Sequence, residues 1–171
     1  MESLKKKIRE VPDFPTPGIL YYDLTTLFKD PEGLKGVIDH LVERYADAGI
    51  EKVLGIESRG FILGSVIAYK LRTGFIPVRK KGKLPAETYS VSYDLEYGTD
   101  TLEMHQDALE PGENVLIVDD LIATGGTAAA TAQMVSRLQA RIHEIAFLVE
   151  LEFLKGRKRL DGFPVYSILK Y

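Results

Sequence analysis

Two adjacent carboxylates followed by a small, glycine-rich turn are the residues of this chain best suited to chemistry: Asp119-Asp120-Leu121-Ile122-Ala123-Thr124-Gly125-Gly126-Thr127. Val115-Leu116-Ile117-Val118 before them predicts a buried strand, and the residues from Thr127 onward predict a helix. The first N–H groups of a helix lack intrahelical acceptors, so a turn placed there presents donors to an anion. Gly125 and Gly126 let a phosphate approach the backbone, and Thr124 and Thr127 add hydroxyl donors. Aspartates aimed at that phosphate would repel it. They suit sugar hydroxyls or a hydrated cation better. The segment therefore reads as a cradle for a ribose 5-phosphate, with Ala123, Thr124, Gly125, Gly126 and Thr127 at the phosphate and Asp119 and Asp120 at the ribose. No Gly-Lys-Ser/Thr follows, and the glycine spacing is not that of a dinucleotide fold.

Other polar groups fall at similar places. Glu57-Ser58-Arg59-Gly60 stands where a strand should give way to a helix, and offers helix N–H groups plus one guanidinium to a phosphate oxygen. Arg79-Lys80-Lys81-Gly82-Lys83 reads as a basic turn opening a long hairpin that could fold over a site as a lid. Glu96-Tyr97 sits at the hairpin tip, just before Gly98. A second basic run, Lys155-Gly156-Arg157-Lys158-Arg159, reads as a solvated face. His40, His105 and His143 have no metal-binding spacing.

These groups need elements to hold them. Asp30 and Pro31 open a helix as N-cap and first residue, with Leu34, Val37, Ile38, Leu41, Val42 and Tyr45 on one face and Gly49 closing it. A strand is predicted at 53–56, a helix at 60–71 stopping near Gly74, and a strand at 75–78 that Pro77 weakens. Tyr89, Val91, Tyr93 and Leu95 alternate as a half-exposed strand does, and Leu102 and Met104 alternate on the return. Pro111-Gly112 ends that hairpin. A helix at 127–138 and a strand at 142–149 follow the strand at 115–118. Strands alternating with helices predict an α/β domain with a parallel sheet.

Composition limits the partners. The chain has 171 residues, and 22 Lys and Arg stand against 25 Asp and Glu, a net charge of −3. A nucleic-acid binder would carry a basic excess. With no cysteine there is no disulfide and no thiol nucleophile. The N-terminus leads into no apolar stretch, and no run is long enough to span a membrane, so a cytoplasmic protein is expected. The length fits a single domain over 1–171.

The 119–127 segment resembles the motif with which type I phosphoribosyltransferases bind 5-phosphoribosyl 1-pyrophosphate (PRPP). Phe14-Pro15-Thr16-Pro17-Gly18-Ile19, Gly55-Ile56-Glu57-Ser58-Arg59-Gly60-Phe61, Arg79-Lys80-Lys81-Gly82-Lys83-Leu84-Pro85 and Leu95-Glu96-Tyr97-Gly98 extend the resemblance to the adenine-specific branch of that family. It implies a type I phosphoribosyltransferase fold, a central, mainly parallel sheet flanked by helices with an antiparallel hairpin hood over about 79–108. It implies transfer of the 5-phosphoribosyl group from PRPP to N9 of adenine, giving AMP and pyrophosphate.

In that pattern Glu57, Ser58, Arg59, Arg79, Lys80 and Lys83 bind pyrophosphate, with a cis peptide in the 57–60 loop. Glu96 acts at purine N7 while Tyr97 excludes water. Leu20, Tyr21, Tyr22, Leu121 and Leu151 wall the adenine. The resemblance also implies Mg²⁺ held mainly by PRPP and water, with Asp119 or Asp120 as a protein ligand, and a homodimer. The chain departs from it at Tyr22, where relatives carry Arg, at Thr26, where Pro is common, and at Gln139-Ala140-Arg141, where a glycine is usual. Tyr22 keeps a hypoxanthine, guanine or xanthine phosphoribosyltransferase in view. A PRPP- or purine-sensing regulator is the rival from outside the enzymes.

Overall fold

The computed structural model describes residues 2–94 and 98–171. The chain divides into an N-terminal unit, 1–43, and a larger unit, 44–171. In the first, helix α1 (Glu2–Lys5) leads into strands β1 (Arg9–Pro12) and β2 (Leu20–Asp23), which pair antiparallel, with Arg9 opposite Asp23. Helix α2 (Thr25–Phe28) follows, and α3 (Pro31–Tyr45) begins here. Asp30 caps α3 as its sequence predicts: Oδ1 accepts the Gly33 N–H at 2.7 Å and meets Lys7 Nζ at 2.6 Å. Thr26 makes use of the hydroxyl that a proline would lack. Its Oγ1 donates to the Lys7 carbonyl at 2.7 Å and accepts the Arg9 N–H at 3.1 Å, joining α2 to the start of β1.

The larger unit is built on a mixed sheet. Its strands are β3 (Lys52–Ile56), β4 (Gly74–Lys80), β5 (Thr88–Asp94), β6 (Thr99–His105), β7 (Asn114–Ile122), β8 (Arg141–Glu150) and β9 (Val165–Lys170). Among the described residues they lie in the order β5-β6-β4-β3-β7-β8-β9. Strands β4, β3, β7, β8 and β9 are parallel, and the β5–β6 hairpin joins antiparallel through β4. Helix α4 (Gly60–Leu71) links β3 to β4, and α5 (Gly126–Arg137) links β7 to β8. Val115, Leu116, Ile117 and Val118 are wholly buried, as expected of a central strand covered on both faces.

Pro77 is accommodated by its register. The Val78 carbonyl accepts from Glu57 N–H, so Val78 turns its backbone toward β3 and Pro77 turns away from it. On that far edge, pairing with β6 begins only at Arg79, and no donor is missed.

Some boundaries move. Helix α4 is closed by Arg72 in the left-handed conformation (φ 59°), not by Gly74, which starts β4. Arg79 and Lys80 belong to β4, and only the residues beyond them form the basic turn. β7 runs on through Asp119 and Asp120 to Ile122, so the carboxylates lie within the strand and are buried. No sequence period announces β1, β2, α1, α2 or β9, the first four because prolines and polar residues break any period there.

Candidate active site

Strands β3 and β7 are parallel neighbours, so the loops leaving their C-terminal ends, 57–59 and 123–125, rise side by side. Such a crevice is where open α/β sheets bind ligands. A cavity of about 620 Å³ opens there, lined by Glu57, Ser58, Arg59, Lys80, Lys83, Asp119, Asp120 and Leu121. All but Leu121 are polar or charged, which suits a phosphorylated sugar.

Asp119 and Asp120 are 7% and 5% exposed. Burial pushes the Asp119 carboxyl well above the ordinary carboxylate range, and the Asp120 charge beside it pushes the same way. Burial also raises Asp120, against the pull of Arg59. Arg59 Nε stands 2.6 Å from Asp120 Oδ2, a charge contact rather than an aligned hydrogen bond. Asp119 Oδ1 accepts the Asp120 N–H at 2.9 Å. The start of α4 lies tight against Asp119, where a methyl group on Gly60 would come within 2.9 Å of that carboxylate and of the Val118 carbonyl. Two buried carboxylates with a single guanidinium want further positive charge or hydroxyl donors, which PRPP with a divalent cation would bring. Among the described residues no cluster of three acidic, His or Cys side chains could cage a metal. The donor set thus fits Mg²⁺ bound through one or two carboxylates, with substrate and water filling the rest.

On the β3 side, the Glu57–Ser58 peptide is cis. Glu57 gathers the cations of the hood stem: it accepts the Lys80 N–H at 2.9 Å, binds Lys83 Nζ at 2.5 Å and lies 3.4 Å from Arg79 Nε. Burial alone would raise its pKa, yet the Lys83 ammonium and the Lys80 N–H hold the carboxyl below the usual range.

On the β7 side the donors that could face an anion are backbone N–H groups. Gly125 takes φ 81° at the N-cap of α5, and the chain crosses itself there. A side chain on Gly156 would run into the Ala123 carbonyl, and one on Gly125 into the Gly156 carbonyl. The 155–159 run is therefore more than a solvated face. Gly156 buttresses the 123–125 turn, and Arg157 anchors the segment through Glu150 (2.9 Å from Nε), the Val165 carbonyl (2.7 Å) and Ser167. The pattern of cations in this run hid its one structural glycine.

The expected adenine-wall residues are divided. Leu121 lines the cavity, and Leu151, 8% exposed, donates its N–H to the Ile122 carbonyl. Leu20, Tyr21 and Tyr22 lie on β2 of the N-terminal unit. Alternation along that strand sends Tyr21 and Tyr22 to opposite faces. Tyr21 packs edge-on against Phe14 at 5.1 Å, whereas Tyr22 is buried, and burial followed by the Glu10 charge raises its hydroxyl pKa. Glu96 and Tyr97 lie outside the described residues.

Buried carboxylates and a cationic arm share one cavity, and a glycine turn at a helix N-terminus follows the same strand, an arrangement suited to a phosphorylated sugar. A family profile described as "Phosphoribosyl transferase domain" matches residues 23–168. The chain belongs to that family, in its adenine phosphoribosyltransferase branch. It is 59% identical over its whole length to an adenine phosphoribosyltransferase of Solibacter usitatus, 99% of which is covered. The solved adenine phosphoribosyltransferase of Thermoanaerobacter pseudethanolicus superposes with a TM-score of 0.95 at 48% identity, covering 99% of both chains. That of Saccharomyces cerevisiae, complexed with D-2,5-dideoxy-2,5-imino-altritol 1,6-bisphosphate and adenine, gives 0.92 at 44% identity, over 98% of this chain and 97% of that one.

Proposed function

We propose that this chain transfers the 5-phosphoribosyl group of PRPP to N9 of adenine, releasing pyrophosphate and forming AMP, and so salvages a free purine. The observation that carries this reading is one cavity holding both Asp119–Asp120 and the cations Arg59, Lys80 and Lys83. With the 5-phosphate on the N–H groups of 123–127, the ribose hydroxyls meet the two aspartates and the pyrophosphate meets the cations. The C1–O bond breaks toward the β3 side as the C1–N9 bond forms, through an oxocarbenium-like state. Arg59, Arg79, Lys80 and Lys83 neutralise the leaving pyrophosphate, and the site holds both reactants in register. Glu96 takes the N7 proton as N9 attacks, with Tyr97 excluding water. Asp119 or Asp120 would hold Mg²⁺ together with PRPP and water, and the cation would offset the negative charge of the leaving pyrophosphate.

Leu20, Tyr21, Tyr22, Leu121 and Leu151 are assigned to the base, and the hairpin over about 79–108 to a hood closing on it. Ile62, Val66 and Tyr69 leave an apolar stripe on α4, 42%, 37% and 81% exposed, which supports a homodimer covering that face. PRPP is too highly charged to cross a lipid bilayer, which supports a cytoplasmic site of action.

Pyrophosphate release from PRPP and Mg²⁺ with adenine, hypoxanthine, guanine or no base tests the reading. Release with adenine matched by AMP is expected. Preference for an oxopurine would overturn the base assignment, and PRPP binding without turnover would point to a regulator.

A further inference from the structure

Lys80, Asp100 and Tyr93 form a row across three strands that no sequence motif singles out. Tyr93 on β5 is directly opposite Asp100 on β6, and Lys80 on β4 is opposite Leu102, which makes Asp100 its diagonal neighbour. Leu102 is buried on this face, so the row lies on the inner side of the hairpin. Lys80 Nζ is 3.0 Å from Asp100 Oδ2, and Tyr93 stands across the strand pair beside the same carboxylate. The Tyr93 ring covers the start of α5, where a methyl group on Gly126 would come within 2.8 Å of its Cδ2. Burial and then the charge of Asp100 push the Tyr93 hydroxyl up to about 12, with a smaller contribution from Asp119. The row thus runs from the cationic arm to the phosphate turn.

Each cation of the cavity, and Arg79 beside it, has an acidic partner. Glu57 takes Arg79 and Lys83, Asp120 takes Arg59, and Asp100 takes Lys80. Glu57 and Asp120 line the cavity, whereas Asp100 does not. Its link to the cavity runs through Lys80.

Resting on the reading above, we propose that Asp100 is a positioning residue for pyrophosphate release: it holds the Lys80 ammonium at the cavity rim, competes for it with bound pyrophosphate and takes it back as the product leaves. Tyr93 packs beside that carboxylate across the strand pair. Binding a product tightly does nothing for turnover, and product release limits many enzymes. A carboxylate sharing the lysine lowers that affinity without removing the cation.

The test is inhibition by pyrophosphate with Mg²⁺, competing with PRPP in the adenine reaction, for wild type, D100N, D100E, K80Q and the D100N/K80Q pair. D100N should bind pyrophosphate about threefold tighter, the scale of a part-exposed ion pair. D100E should restore the wild-type value, and with K80Q in place D100N should make no difference. A hairpin merely loosened by the substitution would bind pyrophosphate more weakly. Unchanged or weaker binding by D100N, or a gain that persists without Lys80, overturns the proposal. If wild type turns over adenine normally, such a result counts against this inference alone. A wild type that neither turns over adenine nor binds pyrophosphate overturns the underlying reading and this inference with it.

Discussion

The two regions proposed above to take the anionic ends of PRPP are made of different materials. At 123–127 the donors are backbone N–H groups, fixed by a left-handed glycine and by the Gly156 backbone crossing beneath them. On the cationic arm they are the long side chains of Arg79, Lys80 and Lys83, a third to a half exposed, each resting against a carboxylate. The 5-phosphate is common to PRPP and AMP, so its cradle has no need to change during turnover. Pyrophosphate must be held and then let go. Backbone gives a rigid site with little entropy left to lose, and side-chain ion pairs give one that can exchange partners.

Replacing the glycine beneath the rigid region should have the largest effect. Gly156→Ala drives a methyl group into the Ala123 carbonyl, and overpacking of this kind costs about 1–3 kcal/mol. Displacing the cradle by an ångström should raise the PRPP KM on the order of 100-fold. Pyrophosphate, binding at the other region, should inhibit as it does wild type. An unchanged PRPP KM would show that the crossing does not set the cradle.

Asp119→Asn comes next. Loss of a charged acceptor for ribose hydroxyls should weaken PRPP binding about 10- to 100-fold. The ligand-free variant should nevertheless be more stable than wild type at neutral pH, by about 0.5–2 kcal/mol. Asp119 has its folded pKa raised, so the folded state binds more protons than the unfolded one, and wild type loses stability as pH climbs from about 4 through the raised value. Asparagine does not titrate, so the advantage should vanish below about pH 4. Melting curves across pH would show it, and a variant less stable than wild type at pH 7 would contradict the strained-carboxylate account.

Glu57→Gln should have the smallest effect. It frees Arg79 and Lys83 from their shared carboxylate and should cost no more than about 1 kcal/mol at neutral pH. The folded pKa of Glu57 is lowered, so its contribution is present above the unfolded value of about 4.3 and is lost as pH falls through the folded one. The melting difference between variant and wild type should therefore close in acid.

What was legible in the sequence was local. The cap at Asp30, the apolar run at 115–118 and the glycine turn at 125–126 each announce themselves within a few residues, and the structure places them as read. Asp119 and Asp120 were legible as chemistry but not as buried groups, because only pairing with β8 shows that the strand continues through them. Gly156 is chosen by a backbone more than thirty residues away, and nothing beside it in sequence reports that crossing. Asp100 was hidden likewise, since its neighbours Lys80 and Tyr93 meet it only through strand register. Arg72 closes α4 in a conformation for which Gly74 was the obvious candidate.

The account turns on how PRPP lies in the cavity, and a crystal structure of this chain with PRPP and Mg²⁺ tests that most directly. The 5-phosphate should accept hydrogen bonds from the N–H groups of 123–127, with the ribose hydroxyls on Asp119 and Asp120 and the pyrophosphate against Arg59, Lys80 and Lys83. A reversed PRPP, with its pyrophosphate on the glycine turn, or one bound away from the two aspartates, would contradict the division between a fixed cradle and an exchanging arm.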